Sequence, residues 1–160
     1  MSAHVSTEIV WEALRHELFA CLSFVNPAGE ARAAGIVYVV EGGELFIATE
    51  RESWKARHIA KNPHVALVVP IAKRIPFLPW IKIPAATINF AGTATVMRVD
   101  ELGAGVRKRL LRSNAASDED LASACVLRVK PVGDFVTYGV GTTMWGMRDH
   151  KGAQGRAPVA

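Results

Sequence analysis

Short apolar runs alternate with turn-forming residues along most of the chain, and this pattern predicts a sheet of short strands. The runs at 22–25, 35–40 and 44–49 are interrupted by the segments 26–29 and 41–43, which contain Asn, Pro and Gly. Clusters of these residues end strands and form tight turns. The first third of the chain is therefore predicted to form a β-meander.

Further strands are predicted where the chain is aliphatic or alternates between apolar and polar residues: 65–69, 87–99, 124–130 and 135–140. In the second of these stretches, Gly92 predicts a bend or a bulge. The last two stretches are separated by residues 131–134, where Pro131 and Gly133 predict a turn. About seven short strands favour a small antiparallel barrel.

Three short helices accompany these strands. The first is predicted to start at Ser6 or Thr7 and to contain Val10, Leu14 and Leu18, and another to start at Asp100 and to contain Leu102, Val106 and Leu110. The third is predicted over 53–61, between a capping Ser53 and the pair Asn62-Pro63. That pair ends the helix because the residue before a proline avoids helical geometry.

Composition narrows the class of protein. The chain has 160 residues, of which 50% are hydrophobic and 21% charged, enough for one globular domain with a buried core. Its net charge of +4 is too small for the dense basic stripe of a nucleic-acid-binding protein, so nucleic acid is not an expected partner. The sequence has no apolar run long enough to span a bilayer and no secretory signal, so a cytoplasmic location is expected.

Residues that carry catalytic chemistry are sparse. Cys21 and Cys125 lie outside any Cys/His ligand pattern, so neither a metal site nor a disulfide is predicted. The chain lacks a Ser/His/Asp order, paired carboxylates, a zinc-protease motif, a P-loop and a dinucleotide fingerprint. His58 and His64 are not assigned acid–base roles, because single histidines in such positions are commonly structural. No catalytic residue is predicted.

The most informative segment follows the predicted strand at 44–49. Lys55 and Arg57 lie in the first turns of the helix that Ser53 caps, where cations oppose the helix dipole. An anion such as a phosphate at the helix N-terminus would explain this arrangement. It would accept hydrogen bonds from backbone N–H groups and from Thr49 and Ser53.

This segment resembles the pyridoxamine 5'-phosphate oxidase-like superfamily of FMN-binding split barrels, which contains flavin- and deazaflavin-dependent oxidoreductases. The resemblance rests on the strand 45–49, the T-x-x-x-S-x-K-x-R spacing from Thr49 to Arg57, the Asn62-Pro63 stop and the aliphatic strand 65–69. It implies a mainly β fold with short helices, a split β-barrel of Greek-key type, in a homodimer. A single barrel domain with an N-terminal helix is predicted over 1–148, followed by a flexible or partner-packed tail over 149–160.

In this superfamily the cofactor lies in a groove between two subunits, so each chain alone would hold an incomplete site. The residues implied for cofactor binding are Ile36, Val37, Tyr38, Ala48, Thr49, Ser53, Trp54, Lys55, Arg57 and Thr87. Thr49, Ser53 and Lys55 would bind the phosphate, and residues 36–38 would lie along the ring. Thr87 would reach the cofactor from the other subunit.

Three positions depart from the oxidase that gives the superfamily its name: Trp54 stands where it has an arginine, Tyr38 where it has a lysine and Thr87 where it has a glutamine. The segment 145–148 is only a distant match to the C-terminal contacts of that enzyme. The resemblance therefore implies an FMN- or F-420-dependent oxidoreductase acting on a small organic substrate, and not a true pyridoxamine phosphate oxidase. The excess of basic residues slightly favours F-420, which has a polyanionic tail.

Two other functions stay open at this point. The same barrel could bind a flavin or haem without turnover, as a binding or storage module. The segment 74–84 is apolar and aromatic with three prolines, and is predicted to be a lid over the groove, a dimer arm or a plain connector. Through this segment the chain could also be a structural module that meets a membrane surface, although membrane contact is not expected.

Overall fold

The computed structural model describes residues 5–72, 86–113, 117–141 and 152–160. The elements are α1 (Thr7–His16), β1 (Phe19–Val25), β2 (Ala31–Val37), β3 (Val39–Glu41), β4 (Glu44–Glu50), α2 (Trp54–Lys61), β5 (His64–Ile71), β6 (Ala86–Arg98), α3 (Ala104–Arg112), α4 (Asp118–Ser123), β7 (Ala124–Tyr138) and β8 (Gln154–Pro158). The prediction of a mainly β fold with short helices is confirmed. None of the helices in the described ranges has the length and apolar character needed to cross a bilayer.

The strands form one antiparallel sheet in the order β2-β1-β5-β6-β7-β4-β3, with β8 paired to β7. The two ends of this order, β2 and β3, are consecutive in the chain and are separated only by Tyr38. The sheet must therefore curl until its ends meet, and β2 indeed contacts β4. The result is the split barrel that the sequence predicts.

Two separate apolar clusters stabilise the barrel, one on each side of the sheet. The inner cluster fills the barrel and includes Leu22, Leu45, Ile88, Leu127 and Phe135, all fully buried. The outer cluster covers only the β3–β4–β7 part of the sheet, beneath α3 and α4, and consists of Val39, Phe46, Val106, Leu110, Leu121 and Val126. Helix α2 contacts β1 and β6, but Ile59 of this helix and Phe24 of β1 belong to the inner cluster, so among the described residues no helix covers the outer side of β1, β5 and β6.

The predicted turn at 131–134 is wrong, because β7 runs without interruption through these residues. Gly133 has a φ of 74°, and the register of β6 against β7 shifts opposite this segment, so the extra residues form a β-bulge. The glycine lets the strand bend without reversing. The bulge predicted at Gly92 is not there, because Gly92 pairs in register with Pro131 and the register shift lies between Asn89 and Ala91. A side chain at Gly92 would come within 2.8 Å of Val129 Cγ1, so this glycine permits a close strand contact.

The N-terminal helix forms as predicted, with Ser6 Oγ accepting a hydrogen bond from the Ile9 N–H at 3.3 Å. It ends at His16, however, so Leu18 lies outside it and is exposed. The helix predicted from Asp100 starts later. Residues 99–101 form a 3-10 turn in which the Glu101 carboxylate accepts from the Arg98 N–H at 2.9 Å, and α3 begins only after Gly103.

Helix α4 was not predicted. Its signal is a capping box, in which Ser117 Oγ accepts from the Asp120 N–H and the Asp120 carboxylate accepts from the Ser117 N–H at 2.8 Å. The Ser117 hydroxyl and N–H hold the pKa of Asp120 below its ordinary value. The helix has only six residues and one buried apolar side chain, Leu121, so no periodic pattern marks it.

The end of the chain is ordered by the chain itself, which differs from the predicted flexible or partner-packed tail. Strand β8 pairs with β7, and Ala157 is buried in the inner cluster. Thr7 Oγ1 donates to the Pro158 carbonyl at 2.7 Å, and Trp11 Nε1 donates to the Val159 carbonyl at 3.3 Å. Small alternating residues thus pack beneath α1. The boundary at 148 and the segments 74–84 and 145–148 lie outside the described residues and stay predictions.

Candidate functional site

The corner between β4 and α2 brings two hydroxyl groups together. Thr49 Oγ1 lies 3.3 Å from Ser53 Oγ, and Ser53 caps α2 by accepting from the Ala56 N–H at 3.3 Å. The Ser53 N–H donates to the Glu50 carbonyl at 3.0 Å, which fixes the turn that leads into the helix. The predicted helix over 53–61, with its Ser53 cap and its end at Asn62, is confirmed. Side-chain hydroxyls and free backbone N–H groups therefore converge at the N-terminus of α2.

Charged side chains surround this corner. An open depression of about 490 Å³ is lined by Thr49, Glu50, Glu52, Ser53, Trp54, Lys55 and Arg57. The first turn of α2 contains no acidic residue, so Lys55 meets the positive end of the helix dipole without a compensating carboxylate within the helix. Glu50 and Glu52 border the same depression from the preceding turn and moderate its positive charge.

Aromatic rings position the start of α2. The Trp54 ring lies 5.2 Å from the Phe24 ring, centroid to centroid, and His58 lies 6.1 Å from each of them. Lys55 Nζ lies 5.9 Å from the Trp54 ring centroid. This packing holds the helix against β1. Phe24 was missed by the sequence analysis because in a strand of alternating burial it is indistinguishable from any other core residue.

Residues 36–38 lie beside the end of β4, at the seam where the sheet closes. Continuing the β3–β4 register by two residues places Val37 next to Ala48. Val39 is 7% exposed beneath α3, whereas Val37, on the same side of the sheet, is 39% exposed. The cover given by α3 therefore stops between these two residues. Ile36 points into the barrel and belongs to the inner cluster.

Tyr38 has a different environment from its two neighbours. Its side chain is fully buried, and its hydroxyl donates to the Leu14 carbonyl at 2.9 Å. Burial raises the pKa of Tyr38, and the nearby Glu17 carboxylate adds to the rise, so the phenol stays protonated. The contact that the resemblance implies for Tyr38 would therefore have to come from its backbone.

Thr87 is the one predicted site residue that lies far from the others within the chain. Thr49 pairs with Cys125, which pairs with Arg98 at the end of β6, whereas Thr87 is near the start of that strand. Thr87 and Arg98 are eleven residues apart along this strand. One chain alone does not bring Thr87 to the β4–α2 corner.

Thr87 lies instead on the outer side of the sheet that no described helix covers. Two rows of residues cross β1, β5, β6 and β7 on this side: Cys21, Val68, Asn89 and Val136 in one row, and Ser23, Ala66, Ala91 and Val132 in the other. None of the eight is charged, and Val68, Val132 and Val136 are exposed. We call this surface the uncharged face. Apolar surface of this extent commonly marks an interaction site.

No metal site accompanies this arrangement within the described ranges, where no group of three His, Cys, Asp or Glu side chains is placed to hold an ion. Cys125 is buried, and its burial raises the pKa of its thiol, so it is not an activated nucleophile. The described part of the site thus combines hydroxyl groups, a lysine and a helix N-terminus with an apolar seam, and has no side chain arranged for covalent catalysis.

The barrel and its hydroxyl- and lysine-lined corner define the class of protein as a split barrel with a candidate phosphate site. The sequence itself settles the family. A family model described as pyridoxamine 5'-phosphate oxidase matches residues 6–133, and the chain belongs to this family. No curated protein matches the sequence.

Solved structures with different described roles share the fold. An F-420 reductase is 22% identical, with 78% of this chain and 93% of that chain covered and a TM-score of 0.56. The haem storage protein HutZ from Vibrio cholerae is 16% identical, with 82% and 93% covered and a TM-score of 0.66. General Stress Protein 26 from Bacillus anthracis is 19% identical, with 86% and 95% covered and a TM-score of 0.55. At these identities the similarity shows the fold alone.

Proposed function

We propose that this protein is an oxidoreductase that binds FMN or the deazaflavin F-420 and transfers a hydride between that cofactor and a small organic substrate. The observation that carries the proposal is the β4–α2 corner. There Thr49, Ser53 and Lys55 border one depression at a helix N-terminus whose first turn contains no acidic residue. Hydroxyl donors, backbone N–H groups and a lysine are the groups that bind a phosphate.

Each predicted residue has a role in this proposal. Thr49, Ser53 and Lys55 bind the cofactor phosphate, with Arg57 adding positive charge and Trp54 bordering the site. The backbone of Ile36 and Tyr38, with the Val37 and Ala48 side chains, lies along the ring at the seam. The cofactor supplies the hydride chemistry when bound. The chain binds and orients it and provides an apolar surface that excludes water.

The proposal includes a homodimer formed through the uncharged face. A second copy seated there would cover Val68, Val132 and Val136, whose side chains are exposed in one chain. Thr87 lies on the same side of the sheet, so it becomes available to the other subunit's cofactor. This supports the implied role of Thr87, which one chain alone does not explain. A cytoplasmic location stays a prediction.

The test is a titration of the purified protein with FMN and, separately, with F-420, followed by tryptophan fluorescence and by melting temperature. One cofactor at 100 times its Kd should stabilise the fold by about 2.7 kcal/mol. Lys55→Gln should weaken its binding roughly tenfold to a hundredfold, because a charge-assisted contact to the phosphate is lost. Lys61→Gln, in the last turn of the same helix, is the matched control and should bind as the wild type does.

The competing function is a flavin- or haem-binding module without turnover. This second function is worth testing because the haem storage protein HutZ has a similar fold. A haem titration in the same experiment separates the two functions. Haem binding without FMN or F-420 binding would contradict the oxidoreductase. So would equal cofactor affinity of wild type and Lys55→Gln, because the phosphate site would then lie elsewhere.

A further inference from the structure

A second cavity lies on the other side of the seam from the β4–α2 corner. It is an open cleft of about 560 Å³, bordered by the end of α1, the strand β3 and the outer side of α3. This size is typical of sites for small organic ligands. The cavity shares no lining residue with the candidate phosphate site, so that site does not account for it.

Positive charge dominates the wall of this cavity. Arg15, Lys108, Arg109 and Arg112 line it, against two carboxylates, Glu17 and Glu41. Arg109 Nε lies 2.5 Å from a Glu41 carboxylate oxygen, and Arg15 lies 3.6 Å from Glu12, so these two arginines are partly neutralised. In the described part of the chain, Lys108 and Arg112 have no ion-pair partner. Glu17 has no ion-pair partner there either, but four cations against two carboxylates leave the lining with an excess of positive charge.

The helix dipole does not explain this arrangement fully. Arg109 and Arg112 are in the last turn of α3, where cations stabilise the helix C-terminus. Stabilisation of a helix C-terminus does not require the cations to point toward the same cavity. It accounts neither for Lys108, which precedes the last turn, nor for the convergence of the three α3 cations with Arg15 from a different helix.

An apolar surface completes the cavity beside these cations. Leu18, between α1 and β1, is 48% exposed and lines the wall, and Val39 and Val40 form the adjoining strand. Tyr38 borders the cavity, but its hydroxyl is already bound to the Leu14 carbonyl and does not offer a free donor. A ligand here would meet cations at one end and aliphatic carbon at the other.

We propose that this cavity binds a small amphipathic anion, with its anionic oxygens on Lys108 and Arg112 and its aliphatic body on Leu18. The cavity adjoins Tyr38 and Val39, next to the seam where the cofactor ring is expected. The bound anion is therefore the substrate or its product, an assignment that rests on the proposed function. The anion site itself rests only on the charges and the shape of the cavity.

The test uses octanoate as the probe and its neutral analogue octanamide as the comparison, with binding measured by ligand-observed NMR on the full-length protein. The wild type should bind octanoate saturably and octanamide much more weakly. Arg112→Gln and Lys108→Gln should each weaken octanoate binding about tenfold or abolish saturation, because each removes a charge-assisted contact. Lys130→Gln, an exposed lysine on β7 outside the cavity, should bind octanoate as the wild type does.

Three outcomes overturn the anion site: no saturable octanoate binding, equal binding of octanoate and octanamide, or equal weakening by Lys130→Gln and Arg112→Gln. Thermal melts confirm that each variant is folded. FMN and F-420 titrations of Arg112→Gln keep the two proposals separate. Charge-dependent octanoate binding without binding of either cofactor would contradict the proposed function and support the anion site. Cofactor binding without octanoate binding would support the proposed function and contradict the anion site.

Discussion

Two parts of the outer side of the sheet differ in whether helices cover them. Over β3, β4 and β7, the helices α3 and α4 bury Phe46, Leu110 and Val126 in a second apolar cluster. Over β1, β5 and β6, the uncharged face is left open, with Val68 and Val136 exposed. Apolar residues on a sheet surface are stabilised when something covers them. The described part of the chain supplies that cover on one side only, and the proposed second copy would supply it on the other.

The proposed cofactor site lies at the seam, on the boundary between the covered and the uncovered part of the sheet. Val37 and Ala48 lie where the α3 cover stops and the open side begins, and the β4–α2 corner adjoins them. A groove at the edge of a dimer interface would form there, with one wall from each chain.

The largest effect is expected from Val68→Glu on the uncharged face. In a symmetric dimer the substitution would bury two carboxylates, at a cost of several kcal/mol each, so the dimer should dissociate while each barrel stays folded. Sedimentation velocity measures the change in mass, and circular dichroism checks the fold. Ile9→Glu, at a somewhat more exposed apolar position on α1, is the control and should stay dimeric. A dimeric Val68→Glu would place the interface elsewhere.

On the covered side, Leu110→Ala should lower the free energy of unfolding by about 2 to 5 kcal/mol, because it leaves a cavity beneath α3. Urea denaturation measures the change. Leu111→Ala, the half-buried neighbour in the same helix, should cost clearly less. The oligomeric state should be the same in both variants. Equal losses for the two substitutions would contradict the claim that α3 covers the sheet through Leu110.

The parts predicted correctly from the sequence are those that depend on local residue order. Ser53 and the Asn62-Pro63 pair fix α2 within the chain itself, and the strand patterns depend only on alternation. The bulge at Gly133 was predicted as a turn because a glycine with positive φ occurs both in tight turns and in β-bulges. Only the pairing of β7 with β6 distinguishes the two structures. The cavity beside Lys108 and Arg112 was not predicted, since it depends on how α1 and α3 both pack against β3.

At the seam, Ser53→Ala should lower the free energy of unfolding by about 1 kcal/mol, because Ala56 loses its capping acceptor. It should also weaken cofactor binding, since the Ser53 hydroxyl is one of the proposed phosphate donors. Ser53→Thr keeps a hydroxyl and is the matched control. Thermal melts with and without cofactor measure both effects. A stability loss with unchanged cofactor affinity would limit Ser53 to a capping role.

The smallest effect concerns Asp120 at the edge of the covered side. Its pKa is held below the ordinary 3.8 by Ser117, so its contribution to stability is complete above that value and is lost as the pH falls through the lowered pKa. Asp120→Asn should therefore lose stability near neutral pH, with the difference from wild type shrinking below about pH 4. Glu119→Gln, in the same turn, is the control. A difference independent of pH would contradict the role of the carboxylate.

The central claim is that α2 binds a cofactor phosphate at its N-terminus, and phosphorus NMR of the bound cofactor tests it most directly. With whichever of FMN or F-420 binds, the phosphate resonance should differ from that of the free cofactor. It should move toward the free position in Lys55→Gln and stay at the bound position in Lys61→Gln. A bound cofactor whose phosphate resonance is identical in wild type and Lys55→Gln would contradict the account.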